Sequence, residues 1–198
     1  MGNQHQGDVE SDLLSPIGEL GFVRLLLADL HDDLTGKIAR FRQLTDLSGS
    51  LGSSGTMLPG AYTTAAAWRE ARTSFVQGNF VATVMLCQGL AEHVLAAHLE
   101  MLLDEEPLPP KVIFAETLRR CQERSVISEQ DMKDLRKLMT LRNPLSHFRA
   151  NDDPATLMQR VLQTKQSSQT HLLRDATFAI SMAIRLLSLP GFRLDSAA

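Results

Sequence analysis

Aromatic residues are scarce, with one Trp, one Tyr and eight Phe making 5% of 198 residues. Sustained apolar/polar alternation and Asn-Gly or Asp-Gly turns are also missing, which excludes a fold built on β-hairpins. Only two cysteines are present, Cys87 and Cys121, and no Cys-x-x-Cys. Neither a disulfide framework nor a zinc ribbon is therefore available. No apolar run approaches the roughly 20 residues of a membrane span, so no membrane association is expected. Net charge is only -3, which excludes the bulk basic charge of proteins that wrap nucleic acid. The opening MGNQHQGDVESD is polar and acidic, unlike a secretory leader, and Gln6 stands where myristoylation needs Ser or Thr. A cytoplasmic protein is the expectation. Phosphate-cradling Gly loops, dinucleotide fingerprints and Gly-x-Ser-x-Gly elbows are absent as well.

What is there is helical periodicity. The length is about that of one domain, and 43% hydrophobic with 22% charged residues suits a packed globule. Residues 1–12 read as a disordered tail and 13–47 as an N-terminal helix, with Leu20, Val23, Leu27, Leu30 and Leu34 on one face and Gly36 as its weak point. The Gly/Ser-rich stretch 48–60 reads as a flexible loop. The remainder, 61–189, is expected to form an up-and-down bundle. Helices are predicted over 61–77, 80–102, 111–124, from Ser128 to about Arg142, 154–163 and 169–189, the second being the most buried. Ser128 with Asp131 reads as an N-terminal cap. The predicted fold is all-α, with about five to seven helices.

Charge is unevenly spread. Residues 1–33 carry seven acids against Arg24, a net of -6, and 111–149 carry nine Lys/Arg against five acids, a net of +4. Within the basic stretch lies LRKLMTLRNPLSHFR, residues 135–149. At about 100° per residue, Met132, Leu135, Leu138 and Met139 share a face that also takes Arg142. A guanidinium on an apolar stripe needs a partner or an anion. Pro144 predicts a break after Arg142, with Asn143 capping a fresh helical turn. Arg142, Asn143 and His147 would then converge on free N–H groups at a helix start, a natural phosphate site. The plain alternative is a helix kink with a packed His147.

The segment Arg142-Asn143-Pro144-Leu145-Ser146-His147 resembles the signature of the HEPN superfamily: Arg, often followed by Asn, then His after four to six residues, in a small all-α bundle. A leucine-rich helix precedes the motif, and a buried helix carrying Glu92 lies upstream. The stretch ERSVISEQDMKDLRKLMTLRNPLSH is also similar to mannitol-operon-regulator-like proteins, which are regulators. Toxin-type HEPN members often carry a Tyr two residues past the His, where this chain has Arg149.

Catalytic HEPN proteins are metal-independent endoribonucleases that dimerise so that two motifs face one cleft. The resemblance implies Arg142, Asn143 and His147 as catalytic residues, Ser146 and Arg149 as substrate-binding, RNA as substrate and a homodimer, with no metal and no cofactor. It also implies a toxin–antitoxin or defence role, with a protein antitoxin or regulator as a further partner. The chemistry is coherent. Imidazole, with an ordinary pKa near 6.5, serves as acid or base at neutral pH, and guanidinium grips two phosphate oxygens. The competing readings are a non-catalytic HEPN-like module that binds RNA or protein, and a plain helical scaffold. His93 and His98, about 140° apart on a helix, cannot form a zinc pair sharing one face. Cys87, Cys121, Trp68, Phe75, Met85, Met101, Met132 and Met139 read as packing residues.

Overall fold

The computed structural model describes residues 18–102, 107–109 and 111–194. The tail expected over 1–12 and the first residues of the expected N-terminal helix lie outside them. Among the described residues the chain is an all-α helical bundle with no strand: α1 Glu19–His31, α2 Leu34–Ser48, a 3-10 turn Gly49–Leu51, α3 Ala61–Gln77, α4 Phe80–Met101, α5 Phe114–Glu123, α6 Glu129–Ser146, α7 Leu157–Thr164 and α8 Ser168–Leu187. Two compact units are distinguished, Met1–Thr35 and Gly36–Ala198.

The N-terminal helix expected over 13–47 is two helices. Asp32 leaves the helix with ψ 132 and Asp33 takes a left-handed φ of 49. Aspartate favours turns over helix interiors and enters the left-handed region more easily than most residues, so the break falls there and not at Gly36. In the first unit, α1 has no buried residue and exposes Leu20, Phe22, Val23, Leu25, Leu26, Leu27 and Leu30.

In the second unit α2 buries Arg40 and Leu44. Arg40 donates from Nε to the Val76 carbonyl at 3.0 Å, and its guanidinium lies over the Phe80 ring. The stretch expected as a flexible loop is tied down. Met57 donates its N–H to the Phe192 carbonyl at 2.7 Å, Leu194 donates to Gly55, Pro59 is buried, and Leu51 and Leu58 pack on the core. Apolar side chains among the Gly and Ser residues anchor it. The packed unit accordingly extends past the expected limits of 61–189, and Phe192 is fully buried.

Gly78, at φ 85, turns α3 into α4, with Gly78 and Asn79 donating to the Phe75 and Ser74 carbonyls. Helix α4 is long and apolar enough by composition to cross a membrane, longer in that respect than the sequence reading allowed. Here it is the central helix: Val84, Cys87, Leu90, Ala91, Val94 and Leu95 are fully buried, and α3, α5, α6 and α8 pack around it. Of the expected packing residues, Phe75 is fully buried and Met132 and Met139 join the core, whereas Met101, the last residue of α4, is exposed.

The cap at Ser128 is a full capping box. The Ser128 hydroxyl accepts from the Asp131 N–H at 3.1 Å, and Asp131 Oδ2 accepts from the Ser128 N–H at 3.1 Å. Asp131 Oδ1 accepts from Arg185 Nε at 2.5 Å, joining α6 to α8. Burial pushes the Asp131 carboxyl up, but the Ser128 hydroxyl and the Arg185 guanidinium outweigh it and hold the group below its usual range. A carboxyl depressed in the folded state contributes stability above its unfolded pKa and loses it as pH falls through the folded value. Ser128→Ala is expected to cost about 1 kcal/mol in urea melts at pH 7. The difference from wild type should shrink as pH falls below the ordinary aspartate value of 3.8 toward the lower value that Asp131 has in the fold. An undiminished difference at low pH would count against the coupling.

Candidate functional site

Helix α6 carries the motif on its last turn. It does not stop at Arg142 but runs through Pro144 to Ser146, with His147 as its C-cap. Pro144 removes the N–H that would reach the Thr140 carbonyl and crowds that carbonyl, a local cost that α6 absorbs one turn from its end. The expected fresh helix start at Asn143 is therefore not formed, and no row of free N–H groups faces His147. The motif sits instead at the carbonyl end of α6, where the helix dipole favours cations.

Arg142 and His147 are brought together: Arg142 Nη1 lies 3.1 Å from His147 Nε2. Guanidinium only donates, so in this pair Nε2 accepts and the imidazole is the Nδ1–H tautomer. Arg142 is half-buried, as its place on the apolar side of α6 predicts, while His147 is exposed. Arg142 Nε is buried without a hydrogen-bond partner. A guanidinium nitrogen in that state is the exception among buried polar groups and calls for an acceptor.

The other expected site residues are engaged elsewhere or stand aside. The Ser146 hydroxyl lies 3.3 Å from both the Arg142 and the Asn143 carbonyls, directed at its own helix. Arg149 pairs with Asp153 at 3.7 Å across exposed surface. Asn143 is half-buried, and its carbonyl accepts the His147 N–H at 3.0 Å. Glu92 accepts from Gln88 at 2.9 Å and lines a cavity of about 640 Å3 with His93, Glu100 and Lys111. Phe148, next to His147, is 95% exposed.

A second group was not singled out in the sequence. Between α6, α7 and α8 a cavity of about 490 Å3 is lined by Lys137, Thr140, Leu141, Pro144, Ala155, Arg160, Arg174, Asp175 and Phe178. Arg160 grips the buried Asp175 with two nitrogens at 2.6 and 2.9 Å. Behind them His171 is fully buried. The signal available in the sequence was the spacing: His171 and Asp175 are i and i+4 on the apolar side of α8, where a carboxylate demands a cation.

The cysteines are packing residues. Burial pushes the Cys87 thiol far up and that of Cys121 up to about 12, against the opposing pull of Arg124, so neither is a thiolate at neutral pH. His98 rests edge-on against Phe192 at 4.9 Å, and burial lowers its pKa. Among the described residues no group of three or more His, Cys, Asp or Glu side chains is placed to share a metal ion. No family model, curated protein or solved structure matches the chain.

Proposed function

We propose that this chain is a HEPN-like, metal-independent endoribonuclease, active as a homodimer and of the toxin–antitoxin or defence type. The observation that carries the reading is the joined pair of Arg142 and His147 at 3.1 Å, with a buried Arg142 nitrogen still lacking an acceptor. An RNA phosphate is an acceptor that the Arg142 guanidinium can grip with two nitrogens. When it draws Arg142 Nη1 away, the His147 Nε2 lone pair is released to take a proton from the adjacent 2′-hydroxyl. The 2′-oxygen then bonds to phosphorus as the bond to O5′ breaks. The products are a 2′,3′-cyclic phosphate and a 5′-hydroxyl, whose oxygen receives its proton from a second imidazole. DNA lacks the nucleophile. One motif provides one imidazole, so the second comes from another copy. The exposed Phe148 beside the motif and the uncovered apolar side chains of α1 support the presence of a partner.

A non-catalytic regulatory module is the second reading, favoured by the closed Arg142–His147 contact, which occupies the imidazole's acceptor nitrogen. Incubation of the purified protein with mixed RNA and a chelator separates the two. The nuclease cleaves under these conditions. A module binds RNA or protein without turnover.

A further inference from the structure

We propose that the cavity between α6, α7 and α8 is a binding site for a small phosphate monoester with an apolar body, separate from the Arg142–His147 pair. The charges on its wall do not cancel. Asp175 takes both of its bonds from Arg160. That leaves Lys137 and Arg174, neither of which has a carboxylate partner among the described residues. Lys137 Nζ stands 4.2 Å from the centre of the Phe178 ring, and Arg174 lies against His171.

His171 determines how Arg174 is held. The Thr164 hydroxyl donates to the Arg160 carbonyl at 2.7 Å, so toward His171, 2.8 Å away, its oxygen must accept. The imidazole proton is therefore on Nε2. The Nδ1 lone pair faces Arg174 Nη2 at 3.1 Å and Arg160 Nη2 at 3.5 Å. A fully buried ring thus uses its one acceptor to orient a guanidinium without neutralising it. A pure fastening of α7 to α8 needs Arg160, Asp175, His171 and Thr164, but gives no role to Lys137 or Arg174.

Two uncompensated cations suit a dianion, and a phosphate monoester carries nearly two charges at neutral pH. Leu141, Pro144, Ala155 and Phe178 supply an apolar wall for the ester's body, and about 490 Å3 lies within the range of small-molecule sites. On α6, Lys137, Thr140, Leu141 and Pro144 share one face at i, i+3, i+4 and i+7. Arg142 lies about 140° around the helix from Lys137, so the motif's cation and the cavity's stand on different sides of α6, with Pro144 lining the cavity from within the motif.

Calorimetric titration with phenyl phosphate tests this on the full chain. The expected result is saturable binding of one molecule per chain. Inorganic phosphate and phenol should bind at least about tenfold more weakly, since each lacks half of the interaction. Arg174→Gln and Lys137→Gln should each weaken binding by about tenfold or more, with helical circular dichroism retained because both side chains are exposed. His147→Ala should bind phenyl phosphate as wild type does, which keeps this test independent of the nuclease reading. No saturable binding would overturn the proposal, as would equal binding of inorganic phosphate or indifference to both substitutions. A hydroxyl-ended hexauridylate that binds as tightly and is lost in the same variants would make the cavity a nucleic-acid backbone site and overturn it equally.

Discussion

His147→Ala is expected to lower metal-free RNA cleavage by about 10²- to 10⁴-fold, the usual contribution of a positioned acid–base group. The side chain is exposed and among the described residues its one hydrogen-bond partner is Arg142 at 3.1 Å, so the fold should be unaffected. Unchanged helical circular dichroism and melting temperature would show that the loss is chemical. Arg142→Ala should be similarly inactive, and Arg142→Lys should recover only part of the rate, because an ammonium cannot present two parallel donors to a phosphate. A His147→Ala rate within about twofold of wild type would remove the imidazole from the mechanism.

The second large effect is on stability. Asp175→Ala leaves the Arg160 guanidinium without its carboxylate and removes the ion pair from α8 to α7, leaving the Thr164–His171 hydrogen bond between them. Breaking a buried ion pair by deleting one member costs roughly 3–5 kcal/mol. Arg160 keeps 20% side-chain exposure and can partly rehydrate, so the lower end, about 3 kcal/mol, is expected in urea melts. Replacing both residues with apolar ones, as in Arg160→Met with Asp175→Leu, should restore most of the loss, since no charge is then stranded. A loss under about 0.5 kcal/mol for Asp175→Ala would mean that the pair is solvated and fastens nothing.

Much of the helical layout was legible because the residues that delimit helices act locally. Gly78 turns α3 into α4, and Ser128 with Asp131 starts α6, as their side chains and backbone freedom dictate. The differences came from longer-range effects. Met57 and Pro59 fasten a Gly/Ser-rich stretch through contacts with the distant Phe192 segment and the core, which no local composition reveals. The break at Asp32 and Asp33 leaves no mark on the hydrophobic pattern, because the leucine spacing continues unbroken across it.

At the site, the helical angle alone placed Arg142 on the half-buried side. Pro144 misled because a proline one turn from a helix end removes a single bond and need not stop the helix. The motif consequently lies at a carbonyl end and not at an N–H end. Asp175 in α8, like Arg142 in α6, is a charge on an apolar stripe. Its partner Arg160 lies fifteen residues back in α7, however, and only the fold brings them to 2.6 Å.

The most direct test of the account is the chemistry of the ends left on RNA cut in chelator. With Arg142 and His147 directing attack by the 2′-hydroxyl, the fragments should carry 2′,3′-cyclic phosphate and 5′-hydroxyl ends, and 2′-O-methyl RNA should stay intact. Fragments with 5′-phosphate ends, cleavage that requires a divalent ion, or no cleavage of any RNA by the purified protein would contradict it.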